Sequence, residues 1–145
     1  MTRFIPVLAG LLLIASGPVA FAQDTTLKLV ERATTDAVTD LGKKDDSAGD
    51  LLTFANEVFD ESNAKRVGSD NGWCIRTVAG KAWECFWTLA LADGQITVQG
   101  PFLDAGDSVL AITGGTGRYA GVSGDMNLHA RNAEGTEYDF VYNLQ

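Results

Sequence analysis

Short segments in which apolar and polar residues alternate make up most of the chain beyond about residue 25. A period of two is typical of β-strands with one buried face. Short links join these segments, and no convincing amphipathic helix interrupts them. We therefore predict an all-β fold, a single closed antiparallel barrel of about eight strands. A barrel of this size either holds one small ligand or fills with side chains, and the pattern leaves both options open. The predicted strands are residues 26–33, 50–59, 73–78, 81–92, 95–100, 109–112, 125–131 and 136–144.

The segments around residues 79–80 form the clearest predicted hairpin. A two-residue turn there places Cys74 opposite Cys85, because the residue numbers of opposed pairs in an antiparallel hairpin always add up to the same value. Opposed residues have close Cβ atoms, and a secreted chain with two cysteines most simply forms one disulfide. Two free thiols are the alternative. The same register places Trp73 opposite Phe86 and Arg76 opposite Trp83.

The glycine-rich stretch 100–124 is the most distinctive part of the sequence. We predict a strand over 109–112, a sharp reversal at 114–117 and a connection through 118–121 into the next strand. The reversal is expected at 114–117 because only glycine adopts positive φ at little cost. A phosphate-binding loop is the alternative. That loop needs a following helix, and Gly121 and Gly124 would weaken one.

The first 22 residues predict a secretory signal peptide. They contain Arg3, an apolar run over 4–14 and a small-x-small cleavage site at 20–22. An uncleaved anchor is the alternative. We expect a secreted or periplasmic protein without a stable membrane anchor. Residues 23–48 would then supply a first strand and a linker, with a loop over 36–49, and residues 49–145 the remainder of the barrel.

Charge and residue counts limit the partners and the chemistry. The chain has 11 Lys and Arg against 19 Asp and Glu, so loss of Arg3 with the signal gives a net charge of −9 (10 minus 19). This argues against nucleic acids and anionic membranes as partners. His129 is the only histidine and is predicted to lie on the surface, so no histidine-rich metal site is expected.

Acidic residues offer the remaining candidate chemistry. Asp45, Asp46 and Asp50 lack the spacing of an EF-hand, so a solvated loop is favoured over a calcium site. Three glutamates lie within predicted strands. One that points into the barrel is a functional candidate because burying it costs free energy, while outward, solvated side chains are the alternative. The three are Glu31, Glu57 and Glu84.

Four blocks, in order and spacing, resemble the allene oxide cyclases of plants: residues 49–60, 65–74, 96–102 and 107–124. Related dirigent proteins share the glycine-rich segment. The resemblance implies an eight-stranded barrel that forms homotrimers, has an apolar cavity and needs no cofactor. It also implies a fatty-acid epoxide substrate that closes to a cyclopentenone of one hand.

The resemblance also implies site residues. Glu31 matches the cavity glutamate, Asn56 an asparagine that holds a water, and Cys74 a cavity cysteine, while Ala33 and Cys85 depart from the family pattern. A bond between Cys74 and Cys85 would remove the thiol. We expect a cyclase or isomerase that acts on a reactive apolar molecule. The alternatives are a non-catalytic or dirigent-like ligand-binding barrel and a structural protein with a filled barrel. The expected cavity wall includes Phe54, Trp73 and Phe102.

Overall fold

Nine antiparallel strands make up residues 25–145, the part of the chain that the computed structural model describes. The predicted signal peptide lies outside these residues. None of the described residues forms a helix, so none of them forms one long and apolar enough to cross a membrane. The strands are β1 (Thr25–Arg32), β2 (Ala37–Thr39), β3 (Leu51–Asp60), β4 (Arg66–Val78), β5 (Ala82–Leu91), β6 (Gly94–Leu103), β7 (Ser108–Gly117), β8 (Gly124–Ala130) and β9 (Glu137–Leu144).

Strand β1 closes the sheet into a barrel. From β3 to β9 each strand pairs with the next, and β1 pairs with β9 along its whole length and with β3 over residues 29–32. The three-residue β2 only extends the end of β3. Eight strands therefore form the closed antiparallel barrel, which confirms the predicted fold class.

The β4–β5 hairpin confirms the predicted register. Cys74 lies opposite Cys85, and the two are joined in a disulfide. The turn has one residue more than predicted, because Val78 pairs with Ala82, and an irregularity between Arg76 and Val78 absorbs the difference. The Arg76 guanidinium lies 4.0 Å from the centre of the Trp83 ring, a cation–π contact.

The glycine-rich segment differs from its prediction. Residues 114–117 do not reverse the chain but continue β7, where they pair with residues 94–97 of β6. The reversal follows over residues 118–123, beginning at Gly117 with φ of +59°. A Cβ atom on Gly115 would collide with the carbonyl oxygens of Tyr119 and Gln95. The glycines thus allow the turn to fold back against β6.

Segment 36–49 was predicted as a loop, and apart from β2 it is one. The segment is tied to the barrel by two side chains. The Asp50 carboxylate accepts hydrogen bonds from the backbone amides of Leu41 (2.9 Å) and Ser47 (2.8 Å). Arg76 donates to Asp46 at 2.6 Å. These bonds account for Asp46 and Asp50, and no cluster suited to a metal ion occurs in residues 25–145.

We predict that the disulfide stabilises the barrel. The double variant Cys74→Ala/Cys85→Ala should lower the free energy of unfolding by about 3 kcal/mol, because the bond closes a short loop in the unfolded chain. Urea denaturation measures the difference. Reducing agent should lower the wild-type stability by a similar amount and leave the variant unchanged. Equal stability of the oxidised wild type and the variant would contradict the prediction.

Candidate functional site

One end of the barrel interior contains a cup lined by apolar and acidic side chains. Its inner volume is about 40 Å³, and together with its open mouth it encloses about 370 Å³. The inner part has room for a few water molecules. The lining residues come from β1, β3 to β6, β8, β9 and the loop after β1: Glu31, Asp36, Leu52, Phe54, Cys74, Cys85, Trp87, Phe102, Leu128, Tyr138 and Phe140.

Aromatic rings form much of the wall. Trp87 stacks on Phe140 with 5.6 Å between ring centres, and Phe54 meets Trp87 edge-on at 6.0 Å. Gly72 lies opposite both Phe54 and Trp87 in the sheet. A Cβ atom there would collide with Trp87 and lie 2.8 Å from the Phe54 ring. The glycine therefore makes room for this aromatic contact.

Glu31 places a carboxyl group in this wall. It lies near the end of β1, where the strand pairs with both β3 and β9, and its side chain is buried. Its Oε1 accepts a hydrogen bond of 2.8 Å from the Asn56 side-chain amide. Burial, the most important cause, raises the pKa of Glu31 well above its usual value, and the negative charge of Asp70 raises it further. A raised pKa suits a carboxyl group to proton donation, so Glu31 is the candidate acid of the cup.

Asn56 holds Glu31 in place. Its Oδ1 accepts bonds from the backbone amides of Thr34 and Thr35, both at 3.0 Å, and from the Thr35 hydroxyl at 2.8 Å. This turns Nδ2 toward the carboxylates, and it donates to Glu31 at 2.8 Å and to Asp36 at 2.7 Å. Both amide hydrogens are thus in use. Asn56 orients Glu31, and it has no free donor for the water that the family resemblance implied.

A third carboxyl group, that of Asp70, lies behind Glu31 and does not line the cup. Asp70 pairs with Asn56 across β3–β4 and with Leu89 across β4–β5, and it is 0% exposed. Neither of its oxygens receives a hydrogen bond of regular geometry from a described donor. Burial raises the pKa of Asp70 to about 7, although Glu31 and the nearby backbone of Asn56 partly oppose this.

Tyr138 and Tyr142 complete the surroundings of the carboxyl groups. Tyr142 is buried and accepts a 3.4 Å hydrogen bond from the Trp87 indole. Burial raises the pKa of both hydroxyls, and the nearby negative charges add to the effect. Both tyrosines therefore stay protonated and neutral.

Most of the predicted site residues come together in the cup: Glu31, Phe54, Cys74 and Phe102 line it, and Asn56 lies directly behind. Cys74 contributes a disulfide sulfur rather than a thiol.

The structure places Trp73 elsewhere. Its side chain points outward, is 43% exposed, and packs against Phe86 at 6.3 Å between ring centres. Trp73 and Cys74 are neighbours on one strand, so they must face opposite sides of the sheet. Trp73 therefore cannot shape the wall that Cys74 lines.

The other two candidate glutamates lie outside the cup. Glu57 is exposed and pairs with Arg66, and Glu84 accepts a hydrogen bond from Gln99. His129 is exposed beside Asp107, as predicted for a surface residue. Among the three glutamates, the structure thus selects Glu31 as the one in the cup.

Sequence reasoning missed Asp36, Asp70 and Tyr138. Asp70 lies in the polar run 69–72, which resembles a turn, yet it belongs to β4. One signal was available, because residues 70, 72 and 74 share a face by the period of two. The register through Cys74 and Leu52 also places Asp70 opposite Asn56. Asp36 gave no signal, since it reaches the cup from a loop.

The model of the allene oxide cyclase family matches residues 27–132. The chain belongs to the allene oxide cyclase family. This confirms the resemblance seen in the four sequence blocks. The match includes Glu31, Asn56 and Asp70, but not Tyr138 or Phe140 on β9.

Solved structures with the same barrel include enzymes and dirigent proteins. A pyocyanin demethylase is 26% identical with a TM-score of 0.70, over 81% of this chain and 100% of that one. The pterocarpan synthase dirigent protein PsPTS1 is 18% identical with a TM-score of 0.67, over 86% and 97%. AbnU, an exo-specific intermolecular Diels-Alderase, is 15% identical with a TM-score of 0.68, over 85% and 98%. The last two likenesses show the fold alone.

We predict that stability falls as the pH rises from about 5 to about 8. In this window folded Asp70, with its pKa near 7, holds a proton that the unfolded chain, with a pKa near 3.9, has lost. The folded state binds more protons, so the free energy of unfolding decreases with pH. Glu31, whose pKa is also raised by burial, acts in the same direction. Urea titrations at both pH values measure the change.

The variant Asp70→Asn isolates this effect. It should reduce the loss of stability between the two pH values by at least about 1 kcal/mol. One pKa unit corresponds to about 1.4 kcal/mol, and the pKa of Asp70 is raised by more than one unit, to about 7. His129 contributes in the same direction, because its hydrogen bond with Asp107 raises its pKa, but both proteins keep it. An equal pH dependence of the wild type and the variant would contradict the prediction.

Proposed function

We propose that this protein is a cyclase or isomerase that uses its own side chains, without a cofactor, to direct ring closure of a reactive apolar small molecule. The buried carboxyl group of Glu31 at the wall of an aromatic cup is the observation that carries the proposal. Membership of the allene oxide cyclase family supports it. A fatty-acid epoxide is the substrate class that this family suggests.

Glu31 acts as the acid in this proposal. Its O–H bond breaks as a proton passes to the epoxide oxygen, and the epoxide C–O bond opens to give a delocalised cation. When the ring closes, the proton returns from the oxygen to Glu31 and a carbonyl group forms. Asn56 keeps the Glu31 carboxylate in position through the 2.8 Å hydrogen bond. No net proton is consumed.

The shape of the cup favours a substrate with a reactive end and a tail. The inner volume of about 40 Å³ is far below the roughly 300–1,000 Å³ of sites that enclose a whole ligand. The reacting end would lie between Phe54, Trp87 and Phe140, with the tail leaving through the mouth. Confinement of the reacting end restricts which conformer closes, and this selects the hand of the product.

A second candidate function is binding, with or without turnover, of a flat aromatic molecule. The likeness to pyocyanin demethylase, at 26% identity over the whole of that chain, favours it. The aromatic wall supports it too, since stacked rings bind flat π-systems. Pyocyanin is therefore the second probe to test. A ligand-binding barrel without catalysis, as in the dirigent-like alternative, would bind such a probe and leave it unchanged.

The proposal also covers location and assembly. We expect a secreted or periplasmic protein, which the Cys74–Cys85 disulfide supports because such bonds persist in oxidising compartments. We expect a homotrimer, as the family resemblance suggests. Mass measurement in solution tests the assembly.

The oxidised protein should convert an allene oxide, generated in place from linolenic acid, into an excess of one cyclopentenone hand. Glu31→Gln should abolish this excess, because an amide cannot donate the proton with similar ease, and general acid catalysis contributes about 10²–10⁴-fold in rate. Chiral chromatography of the product measures the outcome.

Glu57→Gln is the matched control, since Glu57 is exposed on the outside of the same barrel. It should retain the excess. A racemic product from the wild type would exclude this substrate. Quenching of Trp87 fluorescence by pyocyanin, lost in Trp87→Phe, would then favour the second candidate.

A further inference from the structure

Asp70, whose carboxyl group lies behind Glu31, takes no part in the proposed ring closure, and its buried carboxyl group lacks an evident partner. Asp70 is fully buried, faces the barrel interior beside Asn56, and has two oxygens without a regular hydrogen-bond donor among the described residues. A buried polar group without a partner is costly, and a buried unpaired anion more so.

No cation among the described residues compensates this charge. Arg32 contacts Asn63 and the Phe59 ring. Arg76 pairs with Asp46 and Asp104 toward the other end of β4. The ionisable groups that face the Glu31 and Asp70 carboxyls from the neighbouring elements are all acidic or neutral: Asp36 from the loop after β1, and Tyr138 and Tyr142 from β9.

We infer that Glu31 and Asp70 form a carboxyl pair that shares its protons, with Glu31 facing the ligand and Asp70 acting as its positioning residue. Asp70 lies opposite Asn56, whose side-chain amide donates to Glu31, so the two buried carboxyl groups share Asn56 as a neighbour. Two adjoining carboxylates in a buried site cannot both ionise at little cost, so one proton is kept between them. A shared proton explains why Asp70 has no ordinary hydrogen-bond donor, because the protonated carboxyl group of Glu31 acts as that donor.

The catalytic consequence rests on the proposed function. When Glu31 donates its proton beside a neutral Asp70, the Asp70 O–H can hydrogen-bond to the new Glu31 carboxylate. When Asp70 is already ionised, the same donation would leave two adjacent anions. The fully protonated pair is therefore the better acid, and the rate of ring closure should fall as the pair loses its first proton. In Asp70→Asn this first loss is absent.

Protonation can be counted without any turnover. In infrared difference spectra of the full mature protein recorded as the pH is raised from about 5, the wild type should lose the carbonyl stretch of two protonated carboxyl groups in two steps. Asp70→Asn and Glu31→Gln should each lose one group in a single step, with about half of the wild-type amplitude.

Asp36→Asn is the matched control, because Asp36 also accepts a hydrogen bond from Asn56 at 2.7 Å but is only the weakest of the influences on Glu31. It should keep the two-step loss at full amplitude. A wild-type protein with no protonated carboxyl band above about pH 5 would overturn the inference. So would an Asp70→Asn variant with the full band. Either single variant can give the answer if the other does not fold.

The pH–rate profile separates this inference from the proposed function. Asp70→Asn should remove one of the two ionisations that limit kcat/KM and retain the hand of the product. If the wild type is inactive on the epoxide but shows the two-step loss, only the proposed function fails. If it is active with one ionisation in both proteins, the proton-sharing pair fails.

Discussion

The double pairing of β1 is the constraint on which the structure depends. This strand bonds to β9 over its whole length and to β3 over its second half, so it turns an open sheet into a barrel. Closure joins β3 to β9 through β1 and gives the barrel an inside. The overlap with both neighbours lies at residues 29–32, and this is where Glu31 enters the cup. The step that closes the fold thus also buries the candidate acid.

The buried acidic groups lower the stability of this barrel, and they lie where we propose that its chemistry occurs. Glu31 and Asp70 raise the free energy of the folded state at high pH, because neither has a cation beside it among the described residues. Asn56 limits this cost because its side-chain amide donates a hydrogen bond to Glu31. Its side-chain oxygen also holds the loop after β1 by accepting hydrogen bonds from the backbone amides of Thr34 and Thr35. Strained or costly polar groups that the fold retains tend to cluster where chemistry occurs. This one adjoins the aromatic cup.

Local sequence was sufficient to predict the β4–β5 hairpin and, through the period of two, which side chains of the hairpin share a face. The register through Cys74 and Cys85 needed only a turn and the period of two, and the inserted residue at the turn was absorbed without changing it. The same period would have placed Trp73 outside, opposite in direction to Cys74. Residues 114–117 were misplaced because glycine permits both a reversal and a close strand approach. Which of the two occurs depends on what packs beside it, here Gln95 and Tyr119.

The sequence by itself determined the strand-rich architecture, the cysteine pairing and the family, and through the family it indicated Glu31 and Asn56. These follow from alternation, short turns and local motifs, which act over a few residues. Only the tertiary structure decided that Asp70 lies behind Glu31 and that Asp36 and Tyr138 reach the same cup. Their side chains come from β4, a loop and β9, between 5 and 107 residues from Glu31 along the chain (36 − 31 and 138 − 31). Barrel closure brings them together, and burial inside the barrel raises the pKa values of Glu31 and Asp70.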